Sequence, residues 1–116
     1  MSDGDCVFCG IASGVIPADV VYREGDILAF RDLNPQAPIH VLVIPERHIS
    51  SAFDLGPGET PLLGRMFAAV RAIGEQEGIA GRGLRVVVNA GPEGGQTVAH
   101  LHFHVLGGRR MTWPPG

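Results

Sequence analysis

The chain has 116 residues and a mass of 12.3 kDa, enough for one hydrophobic core and too few for a second. Nine basic residues, all arginine, stand against twelve acidic ones, and a net charge of −3 argues against the clustered basic surface that nucleic acid needs. No apolar run reaches the ~18 residues of a membrane span, Met1 to Asp5 do not read as a signal peptide, and two cysteines make no disulfide framework. The expectation is one domain over residues 1–116, without membrane or nucleic-acid partners, in the cytoplasm.

Cys6 to Ser13 is short and apolar on one side and is stopped by Gly14 and Pro17, which predicts a brief helix. Val20–Arg23 and Ile27–Arg31 are β-prone runs about Glu24-Gly25-Asp26, the pattern of a hairpin. Asn34-Pro35-Gln36-Ala37-Pro38 is a rigid turn, because two prolines fix the chain and remove two donors. Ile39–Ile44 is a third strand, ended by Pro45.

Thr60, read as a cap, and Pro61 open the one long helix. Leu62, Leu63, Met66, Phe67, Val70 and Ile73 recur at spacings of three and four, and Gly78 marks its stop. Leu84–Ala90 and His100–Leu106 are expected as strands four and five, joined by the glycine-rich stretch Gly91–Thr97. The fold class is α+β, a five-stranded antiparallel sheet with one long and one short helix.

His100-Leu101-His102-Phe103-His104 places three imidazoles at alternate positions, so on a strand they share one face. Two chemistries compete for that face. A His-x-His pair can chelate one metal ion, but no carboxylate lies within the strand or its immediate flanks. Alternatively a neutral histidine is a nucleophile whose neighbours fix its tautomer and handle protons. Asn89-Ala90-Gly91-Pro92-Glu93-Gly94-Gly95-Gln96-Thr97 just upstream favours the second. Its glycines can turn N–H groups inward as an anion cradle, with side-chain donors from Asn89, Gln96 and Thr97.

His100-Leu-His102-Phe-His104-Val-Leu resembles the histidine triad motif of the HIT superfamily. Arg31-Asp32-Leu33-Asn34-Pro35-Gln36-Ala37-Pro38, His40, Pro45-Glu-Arg-His48, Asn89, Gly94-Gly-Gln-Thr97 and the tail Trp113-Pro-Pro-Gly116 resemble its HINT branch. The resemblance covers nearly the whole chain. It implies a nucleotide-binding hydrolase of purine nucleoside phosphoramidates, derivatives of AMP or GMP such as adenosine monophosphoramidate and aminoacyl adenylates. It also implies a homodimer whose two sheets join into one, with no organic cofactor and no Mg²⁺.

Residue by residue, the resemblance makes His102 the nucleophile that forms a nucleotidyl-histidine, and His104 the contact to the phosphate. His40 and His100 orient or relay protons, and Thr97 donates to the leaving group. Asp32 holds the ribose hydroxyls with Leu33 beside it. Asn89, Gly95, Gln96 and Phe103 complete the nucleotide site, while Val7, Phe8, Ile11 and Phe30 form the slot for the base or simply pack the core. Trp113 is expected near the partner's pocket. A binding module with negligible turnover and a metal-dependent hydrolase are the rival classes.

Cys6-Val7-Phe8-Cys9 has the spacing of a zinc half-site, and taken alone it is equally a redox pair or chance. The resemblance points to closure by His48 and His100, a Cys2His2 set for structural zinc. His100 then faces two demands, since one ring nitrogen cannot both ligate a metal and relay a proton.

Overall fold

The computed structural model describes residues 5–116; Met1 to Gly4, most of the segment read for a signal peptide, lie outside them. Five strands run β1 (Val20–Glu24), β2 (Ile27–Arg31), β3 (Ile39–Pro45), β4 (Leu84–Val87) and β5 (Phe103–Gly107). They form one antiparallel sheet in the order β1-β2-β3-β5-β4. The long helix α2 (Thr60–Gln76) covers one face, and the short helix α1 (Val7–Ala12) covers the other. The α+β class and the two-helix inventory are those expected from the sequence.

Alternation along the central strands sorts the core into two layers. Ile27, Ala29, Val41, Val43, Phe103 and Val105 pack beneath α2 against Leu62, Met66, Ala69, Val70 and Ile73. Leu28, Phe30, Leu42 and Ile44 face the other way and meet Cys6, Phe8 and Ile11 around α1. Because both faces are covered, β2 and β3 read as nearly unbroken apolar runs. No helix among the described residues is long and apolar enough to cross a membrane.

Three boundaries differ from the sequence reading. Strand five begins at Phe103, so His100 and His102 precede it instead of lying on it. The cause is Pro45. Continuing the register that pairs Val43 with Phe103 would set Pro45 opposite Leu101, and proline has no N–H to offer that ladder. Leu101 N–H turns instead to the Ile49 carbonyl at 2.6 Å. Strand four ends at Val87, where its pairing with His104 stops, and not at Ala90. Finally, Glu59 occupies the cap of α2 while Thr60 is its first residue, the Thr60 hydroxyl donating to the Pro57 carbonyl at 3.0 Å.

Candidate active site

The histidines gather on the α1 face of the sheet. His40 and Leu42 project from β3, His104 projects from β5, and His102 stands just before β5 with its ring edge-on to Phe8 at 5.1 Å. A cavity of about 300 Å³ opens among Phe8, Ile11, Phe30, Asp32, Thr97, Val98, His102 and His104, with Val7 and Leu33 at its exposed rim. One wall is apolar; the other carries imidazoles, a hydroxyl and the Asp32 carboxylate.

Hydrogen bonds fix the protonation of each ring. The His102 Nδ1–H donates to the His100 carbonyl at 2.7 Å, because a carbonyl can only accept. Its lone pair therefore sits on Nε2, which has no partner among the described residues and is not sealed from solvent. His40 Nδ1 accepts from the Gln36 N–H at 3.0 Å, so its hydrogen is on Nε2. That Nε2–H donates to His104 Nδ1 at 2.9 Å, with Asp32 Oδ2 at 3.5 Å. His104 is left presenting Nε2–H as a donor. The cluster thus places one lone pair beside one N–H, the ring centroids of His102 and His104 lying 5.0 Å apart.

Burial keeps these rings neutral. Desolvation lowers His40 and His102 below the ordinary histidine value, although Asp32 opposes the shift in both and the His100 carbonyl opposes it in His102. His104 falls to about 4, driven first by desolvation and then by repulsion from His102 and His40.

Asp32 accepts from the Asn34 N–H through Oδ1 at 2.8 Å and keeps Oδ2 toward the cavity side of His40. The glycine-rich stretch is placed otherwise than a cradle of glycine amides requires. Gly95 N–H bonds to the Pro92 carbonyl, Gln96 N–H to the Gly91 carbonyl, and Gly91 N–H to Gln96 Oε1. Asn89 Nδ2 donates to the Gly94 carbonyl at 2.7 Å, and Gln96 Nε2 donates to the Ser50 and Val98 carbonyls. Asn89, Gly95 and Gln96 therefore brace the loop, and none of them lines the cavity. Gly95 takes a left-handed φ of +80°, and a side chain on Gly94 would collide with the Ala90 carbonyl. What the braced loop delivers to the cavity is Thr97 and Val98, whose N–H groups have no partner among the described residues.

Phe103 points into the core under α2, its ring 5.0 Å from Phe67, so only its main chain is on the histidine side. Trp113 stands 81% exposed and outside this chain's own cavity. Leu42, Val98 and the segment Ile16–Asp19 line the cavity without having been anticipated. Leu42 was within reach of the sequence, since it follows His40 by two on one strand; Ile16–Asp19 carries no motif.

A second cluster lies directly behind His102. Cys6 Sγ is 3.3 Å from His100 Nδ1, and Cys9 Sγ is 3.3 Å from His48 Nδ1 and 3.6 Å from His100 Nδ1. All four donor atoms fall within 4.8 Å of one another. Those spacings match the edges of a tetrahedron with metal–sulfur bonds near ~2.3 Å and metal–nitrogen bonds near ~2.0 Å. His100 Nε2–H donates to the Pro45 carbonyl at 2.8 Å, which leaves Nδ1 deprotonated and oriented as a ligand. Both nitrogens of His100 are so directed, and neither faces the cavity; of its two expected roles, the geometry accommodates the ligand and not the relay. Asp32, His40 and His104 also bring three donor atoms within 4.8 Å. A cation there would need the lone pair of His40 Nε2, moving the hydrogen to Nδ1 against the Gln36 N–H. Two donors would then face each other, so this set is built for hydrogen bonds.

Fold and site together define a histidine triad protein: two neutral imidazoles and a hydroxyl around a slot, on a sheet flanked by one long and one short helix. The chain matches the HIT domain model over residues 13–111 and belongs to that family, within its HINT-like branch. It is 42% identical to the "14 kDa zinc-binding protein" of Brassica juncea, over 97% of this chain and 100% of that one. It is 41% identical to "Adenylylsulfatase HINT1" of Arabidopsis thaliana, covering 99% and 79%. The crystal structure of a HIT family hydrolase from Legionella pneumophila superposes with a TM-score of 0.95 at 47% identity, covering 97% and 100%.

The lowered value of His104 has a consequence for stability. Above its ordinary value of 6.5 the ring is neutral folded and unfolded, and the fold bears no penalty. As pH falls from 6.5 toward about 4, the unfolded chain takes a proton that the folded one refuses, so stability drains across that window. The urea midpoint is expected to drop between pH 7 and pH 4.5, and to drop less in His104→Gln. An equal drop in both proteins removes His104 as a source.

Proposed function

We propose that the chain hydrolyses purine nucleoside phosphoramidates and related adenylates through a covalent nucleotidyl-histidine on His102. The observation that carries this reading is the His102 Nδ1–H bond to the His100 carbonyl, which aims a desolvated lone pair on Nε2 at the cavity. In the first step Nε2 attacks phosphorus, the P–N bond to the leaving amine breaks, and the amine departs with the proton of the Thr97 hydroxyl, which regains one from solvent. The positive charge that appears on the ring is shared by the Nδ1–H with the His100 carbonyl. Water then attacks the same phosphorus and gives a proton to solvent, the bond to His102 breaks to restore its neutral ring, and a nucleoside monophosphate leaves. Thr97 supplies a hydroxyl for the leaving group. His104 Nε2–H and the Thr97 and Val98 N–H groups supply donors for the phosphoryl oxygens. Asp32 Oδ2 accepts from the ribose, and Phe8, Ile11 and Phe30 form the slot for the base.

An acyl adenylate or adenylyl sulfate fits the same scheme, with an anionic leaving group in place of the amine. The activity in the name of the Arabidopsis relative, an adenylylsulfatase, supports including the sulfate. Cys6, Cys9, His48 and His100 would hold zinc, which in a closed four-ligand set supplies structural rigidity and not an open catalytic position. No step requires Mg²⁺ or an organic cofactor. A homodimer through the outer edge of β4 would pair that edge and cover Phe67, which is 54% exposed. It would also bring Trp113 toward the partner's cavity. The cytoplasm is the compartment that suits unbridged cysteines.

His102→Ala should lower hydrolysis of adenosine monophosphoramidate by about 10³-fold or more while leaving AMP affinity nearly unchanged, as read by steady-state kinetics and calorimetry. Near-normal turnover in that variant would sink the mechanism. Elemental analysis of protein made with zinc supplied should find about one zinc per chain, lost in Cys6→Ser/Cys9→Ser with part of the activity kept. Zinc-free wild-type protein would defeat the metal assignment. Equilibrium sedimentation at micromolar concentration should give a dimer; a fully active monomer overturns that part.

A further inference from the structure

Two of the segments that build the histidine cavity are weakly held by regular structure. Helix α1 has six residues, too few to be stable without outside contacts, and it carries Val7, Phe8 and Ile11. Residues 88–102 run between β4 and β5 and pair with no strand, yet they carry Thr97, Val98 and His102. A nucleophile and a base slot need a fixed separation, because small displacements of reacting groups cost much of the rate. Sheet pairing does not supply it for either segment.

The cysteine-histidine cluster does. Cys6 and Cys9 bracket Val7 and Phe8 on α1, and Cys6 also caps that helix, its Sγ accepting from the Cys9 N–H at 3.4 Å. Both sulfurs meet His100 Nδ1, two residues before His102, at 3.3 and 3.6 Å. His48 stands on the segment after β3, which grips the same stretch twice more. The Ile49 carbonyl accepts from the Leu101 N–H at 2.6 Å, and the Ser50 carbonyl accepts from Gln96 Nε2, next to Thr97, at 2.7 Å. The base slot, the nucleophile and the donor loop therefore share one junction, which lies outside the cavity itself. Stability alone could be added anywhere in the fold. A ligand at each wall of the site fixes the walls against each other.

We propose that Cys6, Cys9 and His48 are positioning residues: with His100 they hold the base slot and the His102 ring in register, so that the cluster governs both base recognition and the tautomer of the nucleophile. The inference rests on the roles read above for His102 and the slot. His48→Ala opens the ligand set without touching the cavity, and His48→Cys closes it again, since a thiolate is an equally good ligand for zinc. Leu62→Ala, in the core layer on the opposite face, lowers stability without touching either. Imidazole nitrogen-15 spectra at pH 8 read which nitrogen of His102 carries the hydrogen. Calorimetry compares AMP with ribose 5-phosphate, which lacks the base, and elemental analysis gives the zinc content. In His48→Ala a mixture of Nδ1–H and Nε2–H forms is expected at His102, with kcat for adenosine monophosphoramidate down about tenfold or more. AMP affinity should fall about fivefold or more, while that of ribose 5-phosphate changes less than about twofold. His48→Cys should regain all three, and Leu62→Ala should show none of these changes at a comparable loss of Tm. Cys9→Ser serves if His48→Ala fails to fold. Loss of zinc with an unchanged tautomer and an unchanged AMP preference overturns the proposal and leaves the cluster a staple of the fold. So does the same response in Leu62→Ala. A wild-type protein that binds AMP without turning over the phosphoramidate refutes the proposed reaction alone, because the tautomer and affinity measurements still decide the positioning.

Discussion

The carbonyl of His100 is the point on which the chemistry of this fold turns. It accepts the Nδ1–H of His102, and that one bond decides which nitrogen of His102 carries a lone pair. The carbonyl is itself held in place, because the His100 ring is fixed at both nitrogens, by the Cys6 and Cys9 sulfurs and by Pro45. Position passes from a cysteine-histidine cluster, through a ring, to a main-chain oxygen, and from there to the reactive imidazole. Phe8 ties the same parts together from above, packing edge-on against His100, His102 and Phe30. Loss of the cluster would therefore be felt as a loosened tautomer more than as an unfolded chain.

Pro45 performs two tasks at once in this arrangement. Its missing N–H ends the β3–β5 ladder, and its carbonyl takes the hydrogen of His100 Nε2. Had the ladder continued, residues 100–102 would be pleated, and the His100 carbonyl would be committed to sheet pairing or directed away from its neighbour's ring. A strand can align three imidazoles on one face, but it does not let a residue's carbonyl reach a ring two residues ahead. The departure from regular structure is thus what sets His102 apart from His104, which remains on β5.

Much of this was legible in the sequence, for reasons that differ by element. Strong periodicity located both helices and the first three strands, because local patterns decide local structure. The alternation of histidines correctly gave one face, yet the point where β5 begins depends on Pro45, fifty-eight residues earlier, and no local pattern announces it. The glycine-rich loop shows the same limit in another form. Its composition permits inward-facing amides, but Asn89 and Gln96 close the loop upon itself, and only Thr97 and Val98 reach the cavity. Composition states what a loop can do; the partners of its polar groups settle what it does.

The direction of the second hydrogen-bond chain rests on a group that cannot titrate. His40 and His104 are two imidazoles at 2.9 Å, an arrangement that is symmetric until something assigns the hydrogen. The Gln36 N–H makes that assignment by occupying His40 Nδ1, and the main chain keeps its proton at any pH where the protein is folded. For the assignment to hold, the Asn34–Pro38 turn must stay rigid. Two prolines stiffen it, Asp32 Oδ1 takes the Asn34 N–H, and Arg109 grips the Gln36 carbonyl from the far side. A protonated His104 would break the chain by putting a hydrogen on each side of the 2.9 Å contact. The desolvation that holds His104 near 4 is what prevents it. Burial that outweighs the nearby Asp32 carboxylate is here the means of keeping one nitrogen a donor and its neighbour across the cavity a nucleophile.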